Sequence, residues 1–462
     1  MSSEPVNTDE KKKRVVRRTA CRVTRRNSSP RSLALLSGVV LGFVCAFNEP
    51  ASASYWIPAD QAFVLSSQYS YTSPTPADEN YSWNAIAEGQ PEQDPPPFPT
   101  GIDRDVLITQ VATGSYRVDF PGQAGAGTMG VGGAVQVTAY GDGNNARCKV
   151  WQWGPTDGNG NYSSVGSVLS VDVLCFNPAG TLTNSPFTAN YIHRTDQPGP
   201  EAAYVLVSNS SASSQEYNTG ENPYAWSSTG GSITVNHTPG TGNYAVELFG
   251  QTGAAPADAG AGGCIANYGT VEVTASGGSN AYCKVDDLVP ETTFHGQKSY
   301  VAAAVIRVSC FDGSTGLRTD SPFNMVYSTM APNGTLTEAF AFGNQPGTAS
   351  YSGNIQYVNM VQEYGDGQTY IPHCITSAPA MFRWQTGRYG ILFSGLGNTV
   401  GPSTPSYVKV TAFGSDSTFC NVVNWGPGSN SDVGVNVQCF TAAGVPSDTD
   451  FMMTYSSLFN AF

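Results

Sequence analysis

Val171-Asp172-Val173-Leu174-Cys175-Phe176, with Cys148-Lys149-Val150 upstream of it, is a strand pair that this chain writes three times. It returns as Cys283-Lys284-Val285 with Ile306-Arg307-Val308-Ser309-Cys310-Phe311, and as Cys420-Asn421-Val422 with Val435-Asn436-Val437-Gln438-Cys439-Phe440. Residues two apart on a strand share a face. Antiparallel pairing that sets Cys148 opposite Cys175 therefore sets Val150 opposite Val173. The same register sets Cys283 opposite Cys310 and Cys420 opposite Cys439. Directly opposed cysteines can reach disulfide geometry, so three disulfides are expected. Val137, Val173, Val273, Val308, Val410 and Val437 are expected in the core. The other face, with Ser170, Asp172, Arg307, Ser309, Asn436 and Gln438, is expected to be wet. The cysteines are 27, 27 and 19 residues apart, so the strands keep their pattern while the loop between them varies.

The likeness extends outward from the cysteines. Each copy opens on a short apolar strand: Ala62 to Leu65, Ala203 to Leu206, Ala339 to Phe342. A Gly-x-Tyr strand follows at Gly114, Gly242 and Gly387. A Val-x-Val-Thr-Ala strand then begins at Val135, Val271 and Val408, and Phe-x-x-x-Tyr closes each copy at Phe187, Phe323 and Phe451. Equivalent first cysteines stand 135 and 137 residues apart, a domain-sized spacing. The expectation is an all-β chain of three tandem antiparallel β-sandwich domains, residues 54–196, 197–332 and 333–462, each with six or seven strands and one disulfide-linked hairpin. Turn-rich stretches at Gln197 to Pro200 and Ala331 to Gly334 mark the boundaries.

Residues 1–53 read as a basic region and export signal. Ten of the 22 Lys and Arg lie in residues 1–32, an apolar run follows from Leu33 to Phe47, and Ala51-Ser52-Ala53 offers a small-x-small cleavage site. The run is too short for a spanning helix, so cleavage leaves no membrane span. That segment holds only 4 of the 35 Asp and Glu, so its removal takes the net charge from −13 to about −19. Such acidity argues against a nucleic-acid partner. Eight cysteines remain, an even number that suits a secreted or cell-surface protein. Cys264 and Cys374 are left over by the hairpins. Either they form a disulfide that ties the second copy to the third and leaves the first copy freer, or they are separately buried as small apolar residues.

The strings Val135-Gln136-Val137-Thr138-Ala139-Tyr140-Gly141, Trp153-Gly154, Cys175-Phe176, Ala179-Gly180 and Ser185-Pro186-Phe187 resemble a repeated domain of uncharacterised exported bacterial proteins. The third copy keeps Trp425-Gly426 and Ala443-Gly444, whereas the second has Asp286-Asp287 near its Trp-Gly position. That resemblance implies no activity. In strand order and closing aromatic strand, the copies are also similar to the β-sandwiches of H-type lectins and phage tail-fibre tips. Those assemble as trimers, which three tandem copies would imitate.

Chemistry is sparse. His193, His237, His295 and His373 occupy no equivalent positions and have no metal-ligand spacing. No nucleophile elbow, zinc helix or phosphate loop occurs. Asp286-Asp287 would be paired acids for glycoside chemistry, but neighbours on a strand face opposite ways. Asp157-Gly158-Asn159-Gly160-Asn161 begins like a calcium loop, with Tyr162 and Val168 where Gly and Glu belong. No catalytic, cofactor or metal site is expected. Trp151, Trp153 and Trp425 are the candidates for stacking on sugar rings; the alternative is that they fill sandwich edges. The first expectation is a non-catalytic structural or adhesive module. The second is a lectin-like protein taking a glycan or surface polymer. The third is a secreted hydrolase with an unrecognised site.

Overall fold

The computed structural model describes residues 61–71, 73–78, 81–84, 105–124, 132–157, 160–162, 168–193, 202–220, 222–251, 270–293, 301–328, 336–352, 359–364, 370–375, 378–397, 405–429 and 432–458. Nearly all of these residues outside turns are strand. The first stretch gives β1 (Gln61–Ser66), β2 (Thr75–Pro76), β3 (Trp83–Asn84), β4 (Leu107–Ala112), β5 (Ser115–Pro121), β6 (Ala134–Ala139), β7 (Arg147–Thr156), β8 (Val168–Phe176) and β9 (Phe187–Ile192). The second gives β10 (Ala202–Val207), β11 (Ser214–Tyr217), β12 (Ala225–Ser227), β13 (Ile233–His237), β14 (Asn243–Phe249), β15 (Thr270–Ala275), β16 (Tyr282–Thr293), β17 (Val301–Phe311) and β18 (Phe323–Ser328). The third gives β19 (Leu336–Gly343), β20 (Ser350–Ser352), β21 (Asn359–Tyr364), β22 (Tyr370–Ile375), β23 (Ala380–Gln385), β24 (Arg388–Phe393), β25 (Ser406–Phe413), β26 (Phe419–Pro427), β27 (Val433–Phe440) and β28 (Asp450–Leu458). The count exceeds six or seven per stretch because pieces such as β2 and β3 are too short to leave a periodicity.

In the first stretch one sheet runs β3-β1-β9-β6 and the other β2-β4-β5-β8-β7. One hydrophobic cluster draws on both, including Val64, Tyr116, Val137, Val173 and Phe187. The second stretch repeats this as β12-β10-β18-β15 and β11-β13-β14-β17-β16. The third has β19-β28-β25 and β20-β23-β24-β27-β26. Two sheets closing on one core make a sandwich-like fold. All six expected core valines are buried.

The register is the one read from the sequence. Cys148 lies opposite Cys175, Cys283 opposite Cys310, and Cys420 opposite Cys439. All three pairs are disulfides with Cα atoms 4.0 Å apart. Each closes a loop of the size that contributes on the order of 3 kcal/mol in the chain-entropy model. Disulfides of this kind belong to a protein matured outside the reducing cytosol. Among the described residues no helix is long and apolar enough to cross a membrane.

The Gly-x-Tyr motif has a local cause. Gly114, Gly242 and Gly387 have φ near +66°, and a Cβ there would meet backbone of the cysteine strand and the following turn at 2.5–2.8 Å. Only glycine allows that approach. It brings the glycine carbonyl to the N–H of Cys175, Cys310 and Cys439 respectively. Two residues on, the buried hydroxyls of Tyr116, Tyr244 and Tyr389 accept from the N–H of Ser185, Ser321 and Thr449. The Tyr116 and Tyr244 hydroxyls also donate to a loop carbonyl, at Tyr69 and Ser210, while that of Tyr389 donates to Asp448 Oδ1 at 3.0 Å.

Two departures from the sequence reading position the site. First, strict alternation breaks just past each leading cysteine. The registers of β7, β16 and β26 shift between Val150 and Gln152, Val285 and Asp287, and Val422 and Asn424. These are equivalent β-bulges with Trp151, Asp286 and Val423 as the extra residues. Second, the face expected to be wet is largely covered. Ser170, Asp172, Ser309 and Gln438 are buried, while Arg307 remains exposed. β6 and β15 are buried along their whole length on both faces.

The cover comes from the other stretches, and residues 55–462 form one compact unit. Val150 bridges Ser276, Val285 pairs with Phe413, and Val422 bridges Tyr140, all parallel. These are equivalent positions, so the first stretch meets the second, the second meets the third, and the third returns to the first. The first stretch is therefore held on both sides rather than left freer. Apolar side chains follow the same circuit. Leu206 and Tyr224 of the second stretch pack on the first core. Phe342, Phe413 and Met452 of the third pack on the second core. Leu65, Tyr81 and Tyr140 of the first pack on the third.

Candidate functional site

The three Val-x-Val-Thr-Ala strands and the three leading cysteines meet at the centre of this ring. Their outward positions hold Gln136, Glu272 and Lys409 at one level and Thr138, Thr274 and Thr411 at the next. The Thr274 hydroxyl donates to Gln136 Oε1 at 2.7 Å and accepts from the Val137 N–H at 3.1 Å. The Val273 N–H donates to Thr411 Oγ1 at 3.3 Å. Lys409 and Glu272 form an ion pair, both side chains buried.

Beyond the threonines stands Arg147, which precedes Cys148 as Tyr282 precedes Cys283 and Phe419 precedes Cys420. Its guanidinium lies over the Tyr282 ring at 4.9 Å and the Phe419 ring at 5.0 Å. It donates to Asn177 O and Ala442 O at 3.0 Å and to Gly313 O. Those carbonyls belong to the turns after Phe176, Phe311 and Phe440, one from each stretch. Burial pushes this guanidinium below its ordinary value.

The residue after each leading cysteine reaches into the next stretch. Lys149 Nζ donates to Ser279 O at 3.0 Å and Ser279 Oγ at 3.4 Å. Lys284 Nζ donates to Asp416 Oδ1 at 2.6 Å and Thr418 Oγ1 at 3.0 Å. Asn421 Nδ2 donates to the carbonyls of Asn144 and Ala146, both at 2.8 Å. Ser279, Asp416 and Asn144 are equivalent positions, so one contact is made three times, twice by a lysine and once by an asparagine. Burial pushes the Lys149 amine down to about 7. Burial also lowers Lys284, with Asp416 working against that shift. Arg147, Lys149, Lys284 and the three threonines line a cavity of about 60 Å3.

The residues singled out from sequence are placed as follows. The bulge turns the strand so that Trp153 and Trp425 return to the core face, where both are buried. Trp153 Nε1 donates to Gly132 O at 2.8 Å, and Trp425 Nε1 to Ser406 Oγ at 3.0 Å. Tyr224 packs edge-on against Trp153, and Tyr81 and Tyr140 against Trp425. As stacking candidates these two are corrected: their rings fill contacts between stretches. Trp151, the bulge residue, is 44% exposed. Asp286 accepts from Ser309 Oγ at 3.0 Å and lies 3.7 Å from Arg318, whereas Asp287 lies 3.8 Å from Arg307. Each acid has its own arginine, and they do not converge. Cys264 lies outside the described residues, as does His295. Cys374 and His373 lie on β22, where the backbone pairs Cys374 with Met360 and His373 with Val361.

His237 Nε2 lies 2.9 Å from Asp320 Oδ1, and its ring stacks on Tyr244 at 4.2 Å. Asp320 also accepts from Gly240 N–H and Gly242 N–H. Burial opposes its charge, but these donors hold the carboxyl below the usual range. The pair resembles a catalytic dyad until the other stretches are compared. Gln110 donates to Asn184, and Arg383 donates to Asp448. Asn184 and Asp448 accept from Gly114 and Gly387 just as Asp320 accepts from Gly242. His237 is thus one version of a thrice-made cap on the Gly-x-Tyr turn. In the Asp157 loop, Asp157 accepts from Asn161 N at 2.8 Å and closes its own turn. Among the described residues no group of three or more His, Cys, Asp or Glu is placed to hold a metal.

An open cleft of about 480 Å3 lies on the second stretch, with Asn236, His237, Asn243, Asp286, Arg307 and Arg318 among its walls. The axial residues Arg147, Lys149, Glu272, Lys284 and Lys409 escaped sequence reading because polar residues alternating with valines look solvent-facing. Comparison with protein-family models, with curated proteins and with solved structures finds no match.

Proposed function

We propose that residues 54–196, 197–332 and 333–462 are three repeats of one β-sandwich domain, exported after loss of residues 1–53. The ring they form is a non-catalytic structural or adhesive module of the cell surface. The observation that carries this reading is where the polar chemistry goes. At position after position, groups able to act on a substrate are spent on equivalent contacts that hold the ring or cap a turn.

The test is to express the full chain in an exporting host, sequence the N-terminus of the product, and fractionate the cells. The reading expects a chain starting at Ser54, retained with envelope polymer, and inert towards ester, glycoside and peptide substrates. Turnover abolished by Asp286→Asn or His237→Gln would establish the hydrolase instead. The cleft on the second stretch favours the lectin as a second reading, since its amides, acid and arginines suit hydroxyl-rich ligands. Binding on a glycan array that is lost in Arg307→Ala would select it.

A further inference from the structure

Arg147 is 5% exposed and Lys149 3% exposed. Among the described residues, neither has a carboxylate as a hydrogen-bond partner. Of the acids near the axis, Glu272 is committed to Lys409 and Asp416 to Lys284, while Asp312 favours the charge of Arg147 without hydrogen-bonding it. Arg147 is solvated by three carbonyls and two aromatic faces, which satisfy donors but carry no net charge. Its Nε is buried and has no hydrogen-bond partner. Lys149 has three donors and, among the described residues, only Ser279 to receive them. Lys149 is thus the cation with no charge partner, and a buried cation without a counter-charge is costly. Both residues line the same cavity, together with Lys284, Thr138, Thr274 and Thr411.

We propose that this axial cavity is an anion site that takes one small monovalent anion, chloride or its equivalent. Size and chemistry agree. A volume of about 60 Å3 is several times the roughly 10–15 Å3 that one water requires, enough for a halide with a water beside it. The Thr138 and Thr411 hydroxyls line the cavity and can turn to donate, whereas that of Thr274 is already spent on Gln136. Water alone would satisfy the donors but leave the charge. The anion supplies the missing charge and joins groups from all three stretches, so it stabilises the closed ring.

The test uses the full disulfide-bonded chain at pH 6 and constant ionic strength. Melting is compared in sodium chloride and sodium gluconate, and crystals soaked in bromide are measured for anomalous scattering. The expected result is a melting temperature several degrees higher in chloride, with a bromide peak between Arg147, Lys149 and the threonines. Lys149→Met should abolish the chloride dependence; Thr138→Val, which keeps the charges, should weaken it and serves if the first variant does not fold. Equal melting in both salts overturns the proposal. So does a bromide peak without any chloride dependence, which would be an adventitious ion only. Chloride dependence that survives in both variants would place the effect on the surface and also overturn it.

Discussion

Tyr116 shows how one side chain ties a loop to two strands. Its ring is fully buried, its hydroxyl accepts from Ser185 N–H at 2.9 Å, and it donates to Tyr69 O at 2.9 Å. Tyr116→Phe keeps the ring and strands both partners. The expected loss is about 1–3 kcal/mol, because the Ser185 donor stays buried. A urea midpoint shift at unchanged slope would measure it. His237 makes the opposite case. The first stretch uses Gln110 for the same cap, so His237→Gln should change stability by no more than about 0.5 kcal/mol. His237→Leu removes the donor to Asp320 and should cost about 1–3 kcal/mol. Thermal melts of the two variants side by side test the cap, which predicts a near-unchanged melt for His237→Gln and a lowered one for His237→Leu.

At the scale of strands, β7 carries both what the sequence shows and what it hides. Cys148 and Val150 follow a period of two, and that was enough to fix pairing, disulfide and core face. Trp151 then inserts an extra residue, and nothing in a period-two template announces it. Every position beyond changes face, which is why Trp153 sits in the core rather than on the surface. Lys149 was hidden for another reason. It alternates with apolar residues, as solvent-facing lysines do, and only the arrival of Ser279 from a distant strand buries it. The strands, cysteine bonds and valine core were legible because they depend on local periodicity. The axis was not, because it exists only after the stretches meet. Lys149 also makes the ring sensitive to pH. Its folded value near 7 lies below the ordinary 10.5, in a cavity shared with Arg147 and with Lys284 and its partner Asp416. Between those values the unfolded chain holds a proton that the fold has released. In halide-free buffer, stability should therefore rise with pH from about 7 towards 10.5, with none of that gain below 7. Urea midpoints at pH 7 and 9 should show this rise, and Lys149→Met should flatten it.

For the whole molecule, closure matters more than count. Each core is completed by apolar residues of the next stretch, so a chain of residues 54–332 would leave the Trp153 side covered but expose the second core where Phe342, Phe413 and Met452 should lie. Such a truncated chain is expected to self-associate or melt without cooperativity. Sedimentation of that fragment beside the full chain would show it, and a monomeric fragment with an unchanged melt would refute the ring as a folding unit.

Arg147 carries an evolutionary consequence. Three identical subunits around one axis would each bring the same residue to it. Three copies of the first stretch would crowd three guanidiniums into a space that now holds one between Tyr282 and Phe419. Three copies of the third would bring phenylalanines with no donor for the turn carbonyls. Once one gene encodes all three positions, each can specialise, and none can any longer serve alone in a homotrimer. A substitution at the centre then alters a single position instead of three, so change that would be intolerable in triplicate becomes accessible one step at a time.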